Sequence, residues 1–126
     1  AIDGKIHAIG GRVTNPGSRV ADHDIYDPKT DTWWSGPPLP TARSGLASIS
    51  YKGLVVVLGG ELPPDTFPNN EAYDPKSNGW RTLAPMPHGR HGTGAAVVGN
   101  SLYVAAGSLK PGAGEVTDQL IAFTLP

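Results

Sequence analysis

The chain has 126 residues, enough for one domain with a hydrophobic core, and its 17 glycines and 13 prolines make up about a quarter of it. A formal net charge of −1 without a basic run gives no electrostatic basis for binding nucleic acid or an anionic membrane, so we expect neither partner. No apolar stretch reaches the roughly 18 residues of a membrane-spanning helix. The absence of cysteine excludes disulfides and thiolate metal sites.

The predicted elements are short strands bounded by glycine, proline, aspartate and asparagine, and no segment is long and periodic enough for a helix. In chain order, three strands are predicted in residues 1–36, four in residues 41–83 and three from residue 91 onward. One apolar run in each group ends in glycine, and these runs occupy residues 6–11, 54–60 and 102–107. The last predicted strand covers residues 120–125.

The chain repeats itself at a fixed interval of 47 residues. A tyrosine followed by Asp-Pro, a tryptophan, an arginine and a glycine all recur at this spacing. The recurring pairs are Tyr26 and Tyr73, Trp33 and Trp80, Arg43 and Arg90, and Gly60 and Gly107. A repeat of this length with four short antiparallel strands is typical of one β-propeller blade, so the sequence predicts an all-β fold built from such blades.

The middle repeat carries the most complete motif: a glycine pair at Gly59 and Gly60, a Tyr-Asp-Pro at Tyr73, then Trp80, and a Pro-x-Pro-x-x-Arg ending at Arg90. This combination resembles the kelch family, and the resemblance covers essentially the whole chain. It implies a kelch-type β-propeller of which about two and a half blades are present. The implied blade parts are residues 1–40, 41–87 and 88–126.

A closed propeller has four to eight blades, which is more than this chain can supply. We therefore expect the remaining blades to come from the same polypeptide or from other chains. By resemblance, the chain is expected to be the C-terminal part of a longer propeller.

The sequence predicts the environment of the aromatic side chains at three positions of the repeat. Trp33 and Trp80 share one repeat position, which predicts that both pack between neighbouring blades. Trp34 has Arg81 as its counterpart, so we expect it to point the other way and to be partly exposed. His7 stands at an aromatic strand position and is predicted to be a packed or edge histidine.

The candidate binding site consists of Arg43, Ser44, Arg90 and His91, which follow the Pro-rich connections between blades. In the kelch family, the arginine partly ties neighbouring blades, and the residue after it lies near the central mouth. A structural role and contact with a bound partner both remain open for the two arginines. A ligand here is expected to be acidic or rich in hydroxyl groups, because arginine forks match carboxylates.

No catalytic residue, metal site or cofactor is predicted. His88 and His91 form a His-x-x-His, but this spacing falls in a Pro-rich turn without a third ligand at a fixed interval. The acidic residues Glu61, Asp65 and Glu71 do not recur in a pairing that suggests general acid–base catalysis.

Three variable loops, at residues 12–23, 61–70 and 108–118, leave the same end of their blades and differ in length and sequence. Divergent loops on a rigid scaffold commonly form a binding surface. Solvated loops rich in proline and glycine, with no ligand, are the other interpretation.

Three functions remain open. The favoured one is a binding or interaction module that holds a protein or a small molecule, such as a carbohydrate, at the loop face or central mouth. The first alternative is part of a carbohydrate-active kelch enzyme, such as a sugar mutarotase with Arg, Glu and His around a central pocket. The second is a structural, self-assembling unit. Copper oxidases of the kelch type need a cysteine crosslinked to a tyrosine, and the absence of cysteine excludes them for these blades.

Overall fold

The computed structural model describes residues 1–13 and 20–124. All regular structure in this part of the chain is β-strand, which confirms the predicted all-β fold, and none of it is a helix long and apolar enough to span a membrane. Part of the predicted loop at residues 12–23, and the end of the predicted strand at 120–125, lie outside the described residues. The described strands are β1 (Ile6–Ile9), β2 (His23–Asp27), β3 (Thr32–Ser35), β4 (Ala47–Tyr51), β5 (Leu54–Leu58), β6 (Glu61–Leu62), β7 (Asp65–Thr66), β8 (Asn70–Asp74), β9 (Gly79–Leu83), β10 (Gly94–Val98), β11 (Ser101–Ala105) and β12 (Leu120–Phe123).

The strands form three antiparallel sheets that correspond to successive blades. The first blade has the order β1-β2-β3, the second β4-β5-β8-β9, and the third β10-β11-β12. The strand counts of three, four and three are those predicted, and the boundaries of the blade parts stay a prediction. The two-residue strands β6 and β7 form a separate hairpin inside the predicted loop at residues 61–70. Strand propensity alone did not predict this hairpin, because its strands are too short to show alternation.

The hydrophobic core lies between the faces of neighbouring blades. Alternate residues of a strand point to opposite faces, so each blade can contact one neighbour on each side. Between the second and third blades, the buried residues are Ala47, Tyr51, Val56, Leu58, Ala72, Met86, Leu102 and Val104. Between the first and second blades, they are Ile2, Ile25, Val55 and Tyr73.

Trp80 crosses the interface between the first and second blades, as predicted. Its Nε1–H donates to the carbonyl oxygen of Pro37 at 2.8 Å, and its ring meets His23 edge-on with 5.5 Å between centroids. Trp33 occupies the equivalent position on the first blade but is 59% exposed and stacks on Tyr26 at 4.8 Å. The predicted burial of Trp33 is therefore not found in this structure, because no described residues cover that face.

The glycine pair at the end of β5 allows two blades to approach closely. Gly59 and Gly60 have φ values of +59° and +122°, where a side chain is strained. A Cβ at Gly60 would lie 2.8 Å from the carbonyl oxygen of Ser44, and one at Gly59 would meet the carbonyl oxygen of Arg90. The N–H of Gly60 donates to that same Arg90 carbonyl at 2.8 Å. The connection after each arginine is thereby held against the end of the preceding blade.

Candidate functional site

Two positions in the repeat converge at one end of the blades. Arg12, Glu61 and Ser108 each follow the last glycine of an apolar run, and Ser44 and His91 each follow the crossover arginine. Antiparallel bridges join Ser44 to Glu61 and His91 to Ser108. We call these five residues the mouth cluster. The structure therefore brings together two of the four predicted site residues, Ser44 and His91.

Glu61 is the centre of the mouth cluster. Its side chain is nearly buried, and its Oε1 lies 3.6 Å from Nη1 of Arg12. Its Oε2 accepts a hydrogen bond from the N–H of Gly112 at 2.9 Å and lies 3.4 Å from Nε2 of His91. These groups come from all three blades, and together they compensate a carboxylate that burial alone would penalise.

His91 has a defined orientation within the cluster. Its Nε2 is 2.9 Å from the carbonyl oxygen of Lys110, which can only accept a hydrogen bond, so Nε2 carries the proton. Nδ1 is then the lone-pair nitrogen when the ring is neutral. His91 and Ser108 also line a cavity of about 400 Å³ together with Gly112 and Thr117. A ligand in this cavity can contact the histidine.

Arg43 lies behind the mouth, with its side chain fully buried. Its Nη1 donates to Oε2 of Glu71 at 2.6 Å and to the carbonyl oxygen of Thr41 at 2.8 Å, and its Nε donates to the carbonyl oxygen of Gly59 at 2.5 Å. The side chain thus ties together parts of its own blade. Its backbone carbonyl accepts from the N–H of Gly11, 3.0 Å away in the first blade.

Arg90 has the same position in the third blade and is also fully buried. Ile121 has the register position that Glu71 has in the second blade, so Arg90 has no carboxylate partner there. It donates instead to the carbonyl oxygen of Ala106 at 3.0 Å and to Oε1 of Gln119 at 3.1 Å. Burial lowers the pKa of this guanidinium. Both side chains therefore bond within their own blades, which differs from the implied tie between neighbouring blades, and their contact with a ligand stays a prediction.

Sequence reasoning missed Glu61 as the partner of His91, and Arg12 as a second partner of Glu61. The detectable signal was their identical offset, one residue after Gly60 and Gly11. A search for acidic residues in pairs could not find them, because the partners of Glu61 are basic and lie in other blades. Among the described residues, no group of three or more histidine, cysteine, aspartate or glutamate side chains could hold a metal ion.

Comparisons with known proteins agree with this architecture. A family model described as the Kelch motif matches residues 1–40 and 42–87. The solved structure of YjhT superposes with a TM-score of 0.85 at 19% identity, covering 98% of this chain and 47% of that chain, so it shows the same fold. The chain belongs to the kelch-repeat family.

Individual curated relatives match over short segments. Kelch-like protein 40a from Danio rerio is 38% identical over 60 residues, which is 47% of this chain and 10% of that protein. Kelch-like protein 22 from Homo sapiens is 45% identical over 47 residues, which is 37% of this chain and 7% of that protein. The aligned segments thus span about a tenth or less of these relatives.

Proposed function

We propose that this chain is a binding module of a kelch propeller, with its ligand docked on the mouth cluster and the surrounding loops. The convergence of Arg12, Glu61 and His91 from three blades carries the proposal. A charged constellation of this kind adds little to the packing of any one blade, whereas the buried arginines and the interblade core account for stability. Kelch repeats generally act as protein-interaction modules, which supports a protein partner.

The exposed guanidinium of the mouth cluster favours an acidic segment on that partner. Arg12 has a side chain that is 51% exposed, and its contact with Glu61 at 3.6 Å leaves most of its donors without a partner among the described residues. The Glu61 carboxylate is buried and already compensated, so a ligand meets the guanidinium first. Arginine recognises carboxylates through two parallel hydrogen bonds. A glutamate or aspartate side chain is therefore the expected anchor.

Peptide binding tests this proposal. Acidic, neutral and basic peptides of one length are titrated against the protein by fluorescence anisotropy, and only the acidic peptide is expected to bind measurably. Arg12→Ala should weaken that binding by at least about tenfold, since a hydrogen-bonded charge contributes about 1.5–3 kcal/mol. Lys76→Ala is the matched control, because Lys76 is exposed in the turn between β8 and β9 at the opposite end of the blade. Equal losses from both variants, or equal affinity for acidic and basic peptides, would exclude the mouth cluster as the site.

A sugar mutarotase is the second candidate, supported by the 3.4 Å separation between Glu61 and His91. In mutarotation, a base removes the proton of the anomeric hydroxyl while an acid protonates the ring oxygen, and the bond from that oxygen to the anomeric carbon breaks. The carbonyl form then closes on its other face with the protons returned. Glu61 and His91 have the residue types for these two roles.

The rate of anomer interconversion distinguishes the two candidates. One-dimensional NMR of freshly dissolved glucose, galactose and N-acetylated amino sugars follows this rate with and without the protein. If the protein is a mutarotase, it should accelerate the interconversion of anomers. Glu61→Gln should abolish this acceleration, and Lys76→Ala should preserve it. Rates equal to those in buffer would exclude the mutarotase and leave the binding module as the remaining candidate.

A further inference from the structure

A separate cavity lies between the first and second blades, at the end opposite the mouth cluster. Its volume of about 300 Å³ is at the lower limit of small-molecule pockets, about 300–1,000 Å³. The first blade contributes the apolar side chains of Ile2 and Ile25 and the indole of Trp34, which is 42% exposed. The second blade contributes Tyr73, and His7 supplies a polar group to the wall. We call this space the interblade cavity.

The hydrogen bonds of His7 define which of its nitrogens is available. Nδ1 of His23 is 3.1 Å from the carbonyl oxygen of Pro37, and this oxygen can only accept, so Nδ1 of His23 carries a proton. Burial lowers the pKa of His23, which keeps the ring neutral and leaves a lone pair on its Nε2. That lone pair lies 2.8 Å from Nδ1 of His7, so His7 donates from Nδ1. The Nε2 of His7 therefore bears a lone pair, and it has no hydrogen-bond partner among the described residues.

This arrangement departs from the repeat at two positions, those of His7 and Trp34. His7 pairs with Ile25 in the first blade as Val56 pairs with Ala72 in the second, so the two positions are equivalent. Val56 and Ala72 are fully buried in the core between the second and third blades. At the equivalent of Trp34 the second blade has Arg81. Blade packing thus requires neither the imidazole nor the indole.

We propose that the interblade cavity binds a small neutral molecule with a hydroxylated ring, whose apolar face lies on Trp34 and whose hydroxyl donates to Nε2 of His7. The acceptor requires a donor on the ligand, and the aliphatic and aromatic walls require a flat apolar face. Lys5 and Asp3 both line the cavity, so an ion of either sign would meet a like charge there, and Lys5 is already paired with the carboxylate of Asp27 at 3.3 Å. A neutral ligand fits these walls better than an ion.

Matched ligands test the hydrogen bond without any mutation. Phenol and anisole differ by a methyl group on the oxygen, and only phenol can donate. Methyl glucoside presents hydroxyl groups on a sugar ring and separates carbohydrate from aromatic ligands. We titrate each into the protein and follow the indole N–H signal of Trp34 by NMR. Phenol, methyl glucoside or both should bind saturably, and anisole should bind at least about fivefold more weakly than phenol if phenol binds.

Variants locate the site and separate it from the mouth. His7→Phe and Trp34→Ala should each weaken binding about tenfold, whereas Arg12→Ala should leave it unchanged. Binding should also fall as the pH is lowered toward 4, because burial, His23, the amino group of Ala1 and Lys5 lower the pKa of His7 to about 4. Burial also lowers the pKa of His23, and protonation of His23 would weaken binding as well, since its Nε2 would become a donor. Tyr73 also faces this ring, at 5.6 Å. No binding of either hydroxylated probe, or equal binding of phenol and anisole, would overturn the proposal.

Discussion

Replacing Glu71 with glutamine removes the only carboxylate that contacts the buried guanidinium of Arg43 in the described part of the chain. The two side chains are 3% and 0% exposed and are joined at 2.6 Å, so water cannot compensate the charge that remains. Removing one partner of such a pair destabilises a protein by about 3–5 kcal/mol. We expect a loss of about 3 kcal/mol, near the lower limit of that range, because glutamine retains one oxygen acceptor for the hydroxyl of Thr41, which donates to Glu71 at 2.9 Å.

Urea denaturation followed by tryptophan fluorescence measures this loss. With a slope of about 1.5 kcal/mol per molar urea, the midpoint should fall by about 2 M. Glu115→Gln is the matched control, because its ion pair with Lys110 joins side chains that are 56% and 63% exposed. An exposed pair of this kind contributes less than about 1 kcal/mol. Equal midpoints for the two variants would refute the structural role assigned to Arg43.

Three further predictions, which use four variants, test other parts of the structure by the same denaturation assay. Gly60→Ala should lower the free energy of unfolding by about 2–4 kcal/mol, because φ is +122° and the new Cβ would lie 2.8 Å from a backbone oxygen. Gly94→Ala, with open space around it, should not lower it. Gln119→Glu should stabilise the protein by about 1 kcal/mol by giving the buried Arg90 a carboxylate partner, and no gain would mean that Gln119 does not contact it. The pKa of His7 is about 4 in the folded chain and near 6.5 in the unfolded chain. Because the unfolded chain binds more protons between these values, the free energy of unfolding should rise with pH from about 4 to 6.5. His7→Phe should reduce this slope, and an unchanged slope would contradict the assignment.

The fold was predictable because the same motif recurs along the chain. A glycine pair, a Tyr-Asp-Pro and a tryptophan at one interval predict the strands and the turns between them, and Trp80 lies where its repeat position indicates. Trp33 has the same local sequence pattern but is exposed, because burial depends on a neighbouring face and not on the residue itself. Its environment could not be predicted from its own blade.

The candidate site was only half predictable for a related reason. Ser44 and His91 follow from the repeat, but Glu61 and Arg12 meet through the packing of separate blades. The ion pair of Arg43 likewise depends on Glu71, and the third blade has Ile121 at that register position although Arg90 is equally buried. The same limit applies to the hydrogen bond between His7 and His23, which lie 16 residues apart on paired strands. A sequence pattern with a period of one blade cannot report contacts that differ from blade to blade.

Amide chemical-shift mapping with a bound acidic peptide tests the proposed mouth site most directly. The N–H of Gly112 donates to Glu61, and the N–H groups of Ser44 and Ser108 bond the neighbouring strands of the mouth cluster. We predict that these three amides shift most on titration, together with that of His91. Largest shifts in the turn between β8 and β9, at the opposite end of the blade, would contradict it.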